Sequence, residues 1–225
     1  VAGVLALKTL SPLLEGRRIG EMNKMRLILA SASPRRAELL TEAGMGFEVV
    51  VSAAEEPEEK PAGLPVEVWP MCLAFMKATA VRGQIKERRG MKDAVILGAD
   101  TIVVEGGRIL NKARDRGHAR RMLSSLRGKT HRVVTGIALV QGEGKGREER
   151  VRLSSAEALC RVKRVSDAWL ERYLDSGLWK GKAGAYGIQD PLVDPFVELV
   201  EGEFGTVVGL PVKLVQSELA SFVKG

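Results

Sequence analysis

The junction of Arg26-Leu27-Ile28-Leu29-Ala30 with Ser31-Ala32-Ser33-Pro34-Arg35-Arg36 constrains the fold more than any other stretch of the chain. A short apolar run bounded by polar turn formers reads as a buried strand. Ser33 is an N-cap residue type, Pro34 suits the first helical position, and Gly44 suits a stop behind Ala43. The segment is therefore strand, polar turn, helix.

The pattern continues downstream. Phe47 to Val51 reads as a second apolar strand, followed by the acidic, proline-containing loop Glu55 to Lys60. Pro65 to Arg89 carries a helical pattern with Leu73, Met76, Ala80 and Ile85 on one side, started or interrupted by Pro70. Ala94 to Gly98 is a buried strand that runs through Asp100 and Thr101 into Ile102-Val103-Val104. Gly106-Gly107 turns the chain back along Arg108-Ile109-Leu110. Asp115 caps a helix ended by Gly128, and His131 to Val140 is a long strand. Gly142 to Gly146 is a charged turn, and Glu149 to Val165 continues in extended form. Ser166 caps a short helix, the loop Gly177 to Gln189 precedes the strand Phe196 to Val200, and Pro211 opens a terminal helix. Strands alternating with helices predict an α/β structure. The hairpin region predicts a mixed sheet rather than a parallel one.

Composition excludes several classes. At 225 residues, 45% hydrophobic and 28% charged, the chain has material for one large domain or two small lobes, and its bulk is not disordered. The cysteines, Cys72 and Cys160, lie far apart among apolar neighbours, which excludes a disulfide scaffold and predicts buried, reduced thiols in a cytoplasmic protein. His118 and His131 are the only histidines, too few for a zinc cluster. No apolar run reaches the roughly 18 residues of a membrane span. Val1 to Lys24 lacks the pattern of a signal peptide and is expected to be a poorly ordered extension, leaving residues 25–225 as a single domain. The net charge of +7 suits an anionic ligand. Asp115 to Arg132 carries six Lys/Arg against one acid, which reads as a solvated helix face and not a nucleic-acid surface.

Five places offer chemistry. At the first, Ser31, Ser33, Arg35 and Arg36 surround a helix N-terminus, where unpaired N–H groups and a partial positive charge favour phosphate; a capped surface helix with solvated arginines is the competing reading. No Gly-Lys-Ser/Thr is present, so this is not a Walker loop. At the second, Asp100 ends a buried apolar run, so it either caps a turn or holds a metal, water or cation, with Thr101 beside it. At the third, Glu55 or Glu56 is a candidate for Mg²⁺ shared with phosphates, against an ordinary acidic loop. Lys77, on a largely apolar helix, and Lys112, after the hairpin, would neutralise a polyphosphate or merely snorkel. Last, the small residues of Lys182 to Gln189 let backbone approach a ligand, and Gln189 can both donate and accept.

Taken together these motifs resemble the Maf family. Leu29 to Arg36 with Leu39-Leu40, Gly98-Ala99-Asp100-Thr101, Lys112, Gly136, Lys182 to Gln189 and Val208-Gly209-Leu210-Pro211 follow the order of that family, from about residue 26 to the C-terminus. The resemblance implies a mixed twisted sheet with flanking helices, two lobes around a cleft, similar to the inosine triphosphate pyrophosphatases. It implies nucleoside triphosphate pyrophosphatases with a divalent metal, Mg²⁺ or Mn²⁺, also described as septum-formation inhibitors, and a homodimer. A non-catalytic nucleotide-binding regulator of division is the alternative. Carried over, Ser31, Ser33, Arg35 and Arg36 lie at the nucleotide, Lys77 and Lys112 at phosphates, and Thr101 and Gln189 at the base. Asp100 is the proton acceptor, and Glu56 joins it at the metal. Arg35, Thr101 and Gln189 match the branch acting on dTTP and UTP. The chain departs from the family at Ala113, where proline is usual, at Trp179, and at Asp190 and Asp194-Pro195, where glycines are common.

Overall fold

The computed structural model describes residues 26–57, 59–86, 88, 93–141, 149–193 and 196–224. The expectations for Val1 to Lys24, for the turn at Gly142 to Gly146 and for Asp194-Pro195 lie outside these residues. Strands β1 (Leu27–Ala30), β2 (Glu48–Val49), β3 (Val95–Glu105), β4 (Arg108–Leu110), β5 (Thr130–Gln141), β6 (Arg150–Val162) and β7 (Val197–Glu201) form one mixed sheet. Its order is β2-β1-β3-β5-β6-β7, with β4 also paired to β3. The helices are α1 (Pro34–Glu42), α2 (Trp69–Ile85), α3 (Arg116–Leu126), α4 (Asp167–Ser176), α5 (Phe204–Val208) and α6 (Val212–Lys224).

Pairing along β3 creates a notch. Its first half runs parallel to β1 from Leu27↔Val95 to Ala30↔Gly98. Its last three residues pair antiparallel with β4, from Val103↔Leu110 to Glu105↔Arg108. Between them, Ala99 to Ile102 have β5 on one side only. β1 ends beside this gap, and its next residues turn into α1. Asp100 and Thr101 thus sit at the carboxyl end of a parallel strand pair, where α/β sheets bind ligands.

Side chains alternate across a strand. On one face of β3, Ile96, Ile102 and Val104 meet α2 through Ala74, Ala78, Val81, Trp69 and Leu73. On the other, Val95, Leu97 and Ala99 meet Leu40, Val215, Leu219 and Phe222 of α1 and α6. Pro70 starts α2. Its buried stripe is Trp69, Pro70, Leu73, Ala74, Lys77, Ala78, Val81 and Ile85, so Ala80 falls off the face expected of it. A lysine therefore stands in an apolar stripe and is aimed at the sheet.

Two glycines let α2 come close. A Cβ on Gly98 would collide with the Ala74 carbonyl oxygen, and one on Gly136 with the backbone of Pro70 and Met71. Gly136 lies directly across from Asp100. The two hydrogens in place of methyls bring the helix backbone against the strands and so bring Lys77 to Asp100.

Other expectations shift. β2 is only two exposed residues, because Val49 and Val51 face outward. Cys160 is buried, but Cys72 is only half-buried at the edge of the α2 stripe; both are free thiols. The helix Phe204–Val208 was not anticipated, since five residues carry too little periodicity to read.

His131 on β5 is 3% exposed. Its Nε2 lies 2.6 Å from the Tyr186 hydroxyl, and the rings meet edge to face. Burial pulls its pKa down from 6.5 to about 4, with the Glu105 charge opposing. The folded state therefore binds this proton more weakly than the unfolded state. The stabilisation is complete above the unfolded value and is lost as pH falls from 6.5 through 4. Urea unfolding should show the protein losing about 3 kcal/mol more than His131→Gln over that interval. Parallel pH profiles for the two would contradict a buried neutral imidazole.

Candidate active site

One cavity of about 390 Å³ opens at the notch. Ser31, Ser33, Arg35, Arg36, Glu56, Lys77, Asp100, Thr101, Lys112 and Gln189 all line it, so residues spread over more than 150 positions meet at one place. Glu56, rather than Glu55, faces the cavity.

One wall is the start of α1. Ser33 occupies the N-cap position in extended conformation, but its hydroxyl makes no capping bond. Its backbone N–H instead donates to Ser31 Oγ at 3.1 Å. Pro34 carries no N–H, so the donors left at this helix end belong to the residues after it. An uncapped helix N-terminus facing a cavity is a place for an anion.

The floor is held by Arg36. Its Nε donates to Gly209 O at 2.8 Å, and its Nη1 to Ala99 O at 2.7 Å and Ser31 Oγ at 3.3 Å. Its Nη2 donates to Thr101 Oγ1 at 3.3 Å. Burial lowers this guanidinium from its ordinary value, while Asp100 and Glu56 push back. Thr135 Oγ1 donates to Thr206 O at 2.7 Å, so in the 2.8 Å Thr101–Thr135 contact the hydrogen comes from Thr101. Thr101 Oγ1 is therefore left as an acceptor. Arg36 is spent on fixing β3, α1 and the Gly209 turn; the Val208-Gly209-Leu210-Pro211 motif, which carried no role in the sequence, supplies its carbonyl.

At the centre, Lys77 Nζ lies 2.5 Å from Asp100 Oδ1 and 3.1 Å from Glu56 Oε2. The Lys77 and Asp100 side chains are 10% and 12% exposed, and Glu56 is 37% exposed. Two carboxylates thus converge on one cation. Among the described residues no cluster of three or more His, Cys, Asp or Glu is placed to hold a metal ion. The donor set fits a hard cation that takes two protein carboxylates and draws its remaining oxygens from substrate and water.

The far wall is the loop after α4. Lys112 pairs with Ala183 in an isolated antiparallel bridge, and Gly184 N donates to Leu110 O at 3.0 Å. The loop is therefore stitched to the β4 end despite Ala113. Asp190 organises its second half. It is buried, accepts Lys182 Nζ at 2.5 Å on both oxygens, and accepts Tyr173 Oη at 2.9 Å and Gly187 N at 3.1 Å. Burial, with the Asp190 carboxylate next, raises the Tyr173 hydroxyl well above its usual value. Sequence reasoning marked Asp190 as a departure but missed its partners. The signal was an acid eight residues after Lys182, which means nothing until the loop closes on itself.

No helix among the described residues is long and apolar enough to cross a membrane. Residues 26–222 match the family described as Maf-like protein. The chain is 40% identical over 200 residues to the dTTP/UTP pyrophosphatase of Agrobacterium fabrum, covering 88% of this chain and 92% of that protein. It is 41% identical over 192 residues to the dTTP/UTP pyrophosphatase of Hahella chejuensis, covering 85% and 90%. It is 41% identical over 195 residues to a probable bifunctional dTTP/UTP pyrophosphatase/methyltransferase protein of Homo sapiens, covering 86% of this chain and 31% of that one. An α/β sheet with its cavity at a strand-end notch, bordered by an open helix terminus, is suited to an anionic ligand. The chain belongs to the Maf family.

Proposed function

We propose that the protein hydrolyses nucleoside triphosphates, dTTP and UTP foremost, to the monophosphate and pyrophosphate. The observation that carries this is the meeting of the open α1 terminus and the Glu56–Lys77–Asp100 cluster in one cavity. The first receives phosphate, and the second offers a base.

Water attacks the α-phosphorus, the new O–P bond forms, and the bond to the bridging oxygen breaks with its electron pair leaving on pyrophosphate. Asp100 takes the proton of the attacking water on a carboxylate oxygen. Arg35, Lys112 and the N–H groups of α1 face the polyphosphate and offset its charge, without which an anionic substrate repels a nucleophile. Arg36 fixes the floor on which these groups stand. Glu56 and Asp100 would hold a divalent cation, Mg²⁺ or Mn²⁺, which when bound supplies positive charge to phosphate oxygens and to water.

Uracil and thymine present two carbonyl acceptors around one N–H. Arg35 offers donors, Gln189 gives and accepts, and Thr101 Oγ1 can accept. A cationic methylated guanine would be repelled by Arg35. Two free thiols suit a reducing compartment, and the proposed place of action is the cytoplasm. Pyrophosphate release across a nucleotide panel with Mg²⁺ tests the reading. UTP or dTTP should exceed 7-methyl-GTP at least tenfold in kcat/KM, about 1.4 kcal/mol, and EDTA should abolish turnover. Nucleotide binding without pyrophosphate release would leave only a binding protein.

A further inference from the structure

The three charged groups at the centre of the cavity do not face one another as three separate ligands. Lys77 Nζ stands between Asp100 Oδ1 and Glu56 Oε2, at 2.5 and 3.1 Å. Two carboxylates that share one ammonium keep a single net negative charge, and that charge is what a second cation would meet. Arg36 adds a further positive charge within electrostatic reach of both Asp100 and Glu56. A free divalent ion arriving alone would meet one lysine and one arginine against two acids, and would also have to displace an ammonium that is almost buried.

Lys77 cannot leave cheaply without a new partner. Its helix stripe is apolar, with Leu73, Ala74, Ala78 and Val81 around it, so an ammonium cut off from both carboxylates would be an uncompensated buried charge. A polyphosphate supplies that partner. Lysine is a compact point charge on a flexible four-carbon stem, able to exchange one oxygen acceptor for another without moving its helix.

We infer that Lys77 is an internal stand-in for the metal: it holds Glu56 and Asp100 together in the nucleotide-free protein, excludes free divalent ions, and passes to a phosphate oxygen when metal and nucleotide enter together. This rests on the functional reading above for the identity of the incoming anion, but the exclusion of free metal does not. Lys77 is then a positioning residue before it is a substrate contact. Glu56 and Asp100 are kept at the spacing of one shared cation during every interval between substrates.

The test is Mn²⁺ binding to nucleotide-free protein, followed by the loss of the free aquo-ion signal in electron paramagnetic resonance. Lys77→Met should bind Mn²⁺ at least tenfold more tightly than the unmodified protein. Adding Glu56→Gln to Lys77→Met should remove the gain. A folded Lys77→Met with unchanged Mn²⁺ affinity overturns the inference. Lys77→Gln, closer in polarity, is the second variant should the methionine variant misfold. The unmodified protein decides independently: tight Mn²⁺ binding without nucleotide, at a site lost in Glu56→Gln, also overturns it. Mn²⁺ binding uses no substrate, so the two readings fail separately. A protein inert toward UTP whose Lys77→Met variant gains Mn²⁺ affinity would sink the pyrophosphatase reading and keep the stand-in. An active protein with unaltered Mn²⁺ binding in that variant would do the reverse.

Discussion

Asp100→Asn is expected to lower turnover by about 10²–10⁴-fold, the usual cost of losing a general base, while nucleotide binding survives. The substitution keeps size, and the amide oxygen can still accept the Lys77 ammonium that now lies 2.5 Å from Oδ1. What it removes is basicity. Glu56 remains as an anionic partner for Lys77, so the buried ammonium keeps one counter-charge. The fold should therefore melt cooperatively, as before. Pyrophosphate release gives the rate, and titration with a non-hydrolysable UTP analogue gives the affinity. Turnover close to that of the unmodified protein would remove Asp100 from the chemistry. Loss of binding and folding together would make it a structural residue.

Gly98→Ala is the second large effect, and it acts from the packing. The added methyl would enter the Ala74 carbonyl oxygen, and the Ala78 side chain lies 3.2 Å from the same position. The obstacle is helix backbone, which cannot rotate away as a side chain can. Overpacking typically costs about 1–3 kcal/mol and more where nothing yields, so about 3 kcal/mol is expected here. For a chain of this size that is a fall of roughly 6–12 °C in Tm. Residual folded protein should also lose activity, because α2 carries Lys77 and β3 carries Asp100. Pushing the two apart lengthens the contact on which the site depends. A variant within about 1 kcal/mol of the parent in urea unfolding would show that the helix shifts freely, and would break the link drawn between glycine and site.

These two positions also show how far a sequence can be read. Asp100 was legible, because an acid ending a buried apolar run needs a reason, and local pattern supplies it. Lys77 was legible in the same way, as a lone charge in an apolar stripe. The strand, turn and helix from Leu27 to Glu42 were legible because N-cap, proline and glycine signals act within a few residues. Gly98 carried no such signal. Its requirement comes from Ala74, and that proximity exists only once α2 packs on β3. Arg36 was legible as a charge at the helix start and it does line the cavity, but its bonds to Gly209 O, Ala99 O and Thr101 were not. A partner 173 residues away is not a property of the local chain. Asp190 read as a break in a motif, yet it gathers Lys182, Tyr173 and Gly187 and holds the wall that carries Gln189.

Attack of water on the α-phosphorus of a pyrimidine triphosphate, driven from Asp100, leaves an isotopic signature. It is read by hydrolysing UTP in oxygen-18 water and resolving the products by mass spectrometry. UMP should carry one labelled oxygen, and pyrophosphate should be unlabelled. Label in pyrophosphate, or UDP and phosphate as products, would contradict it.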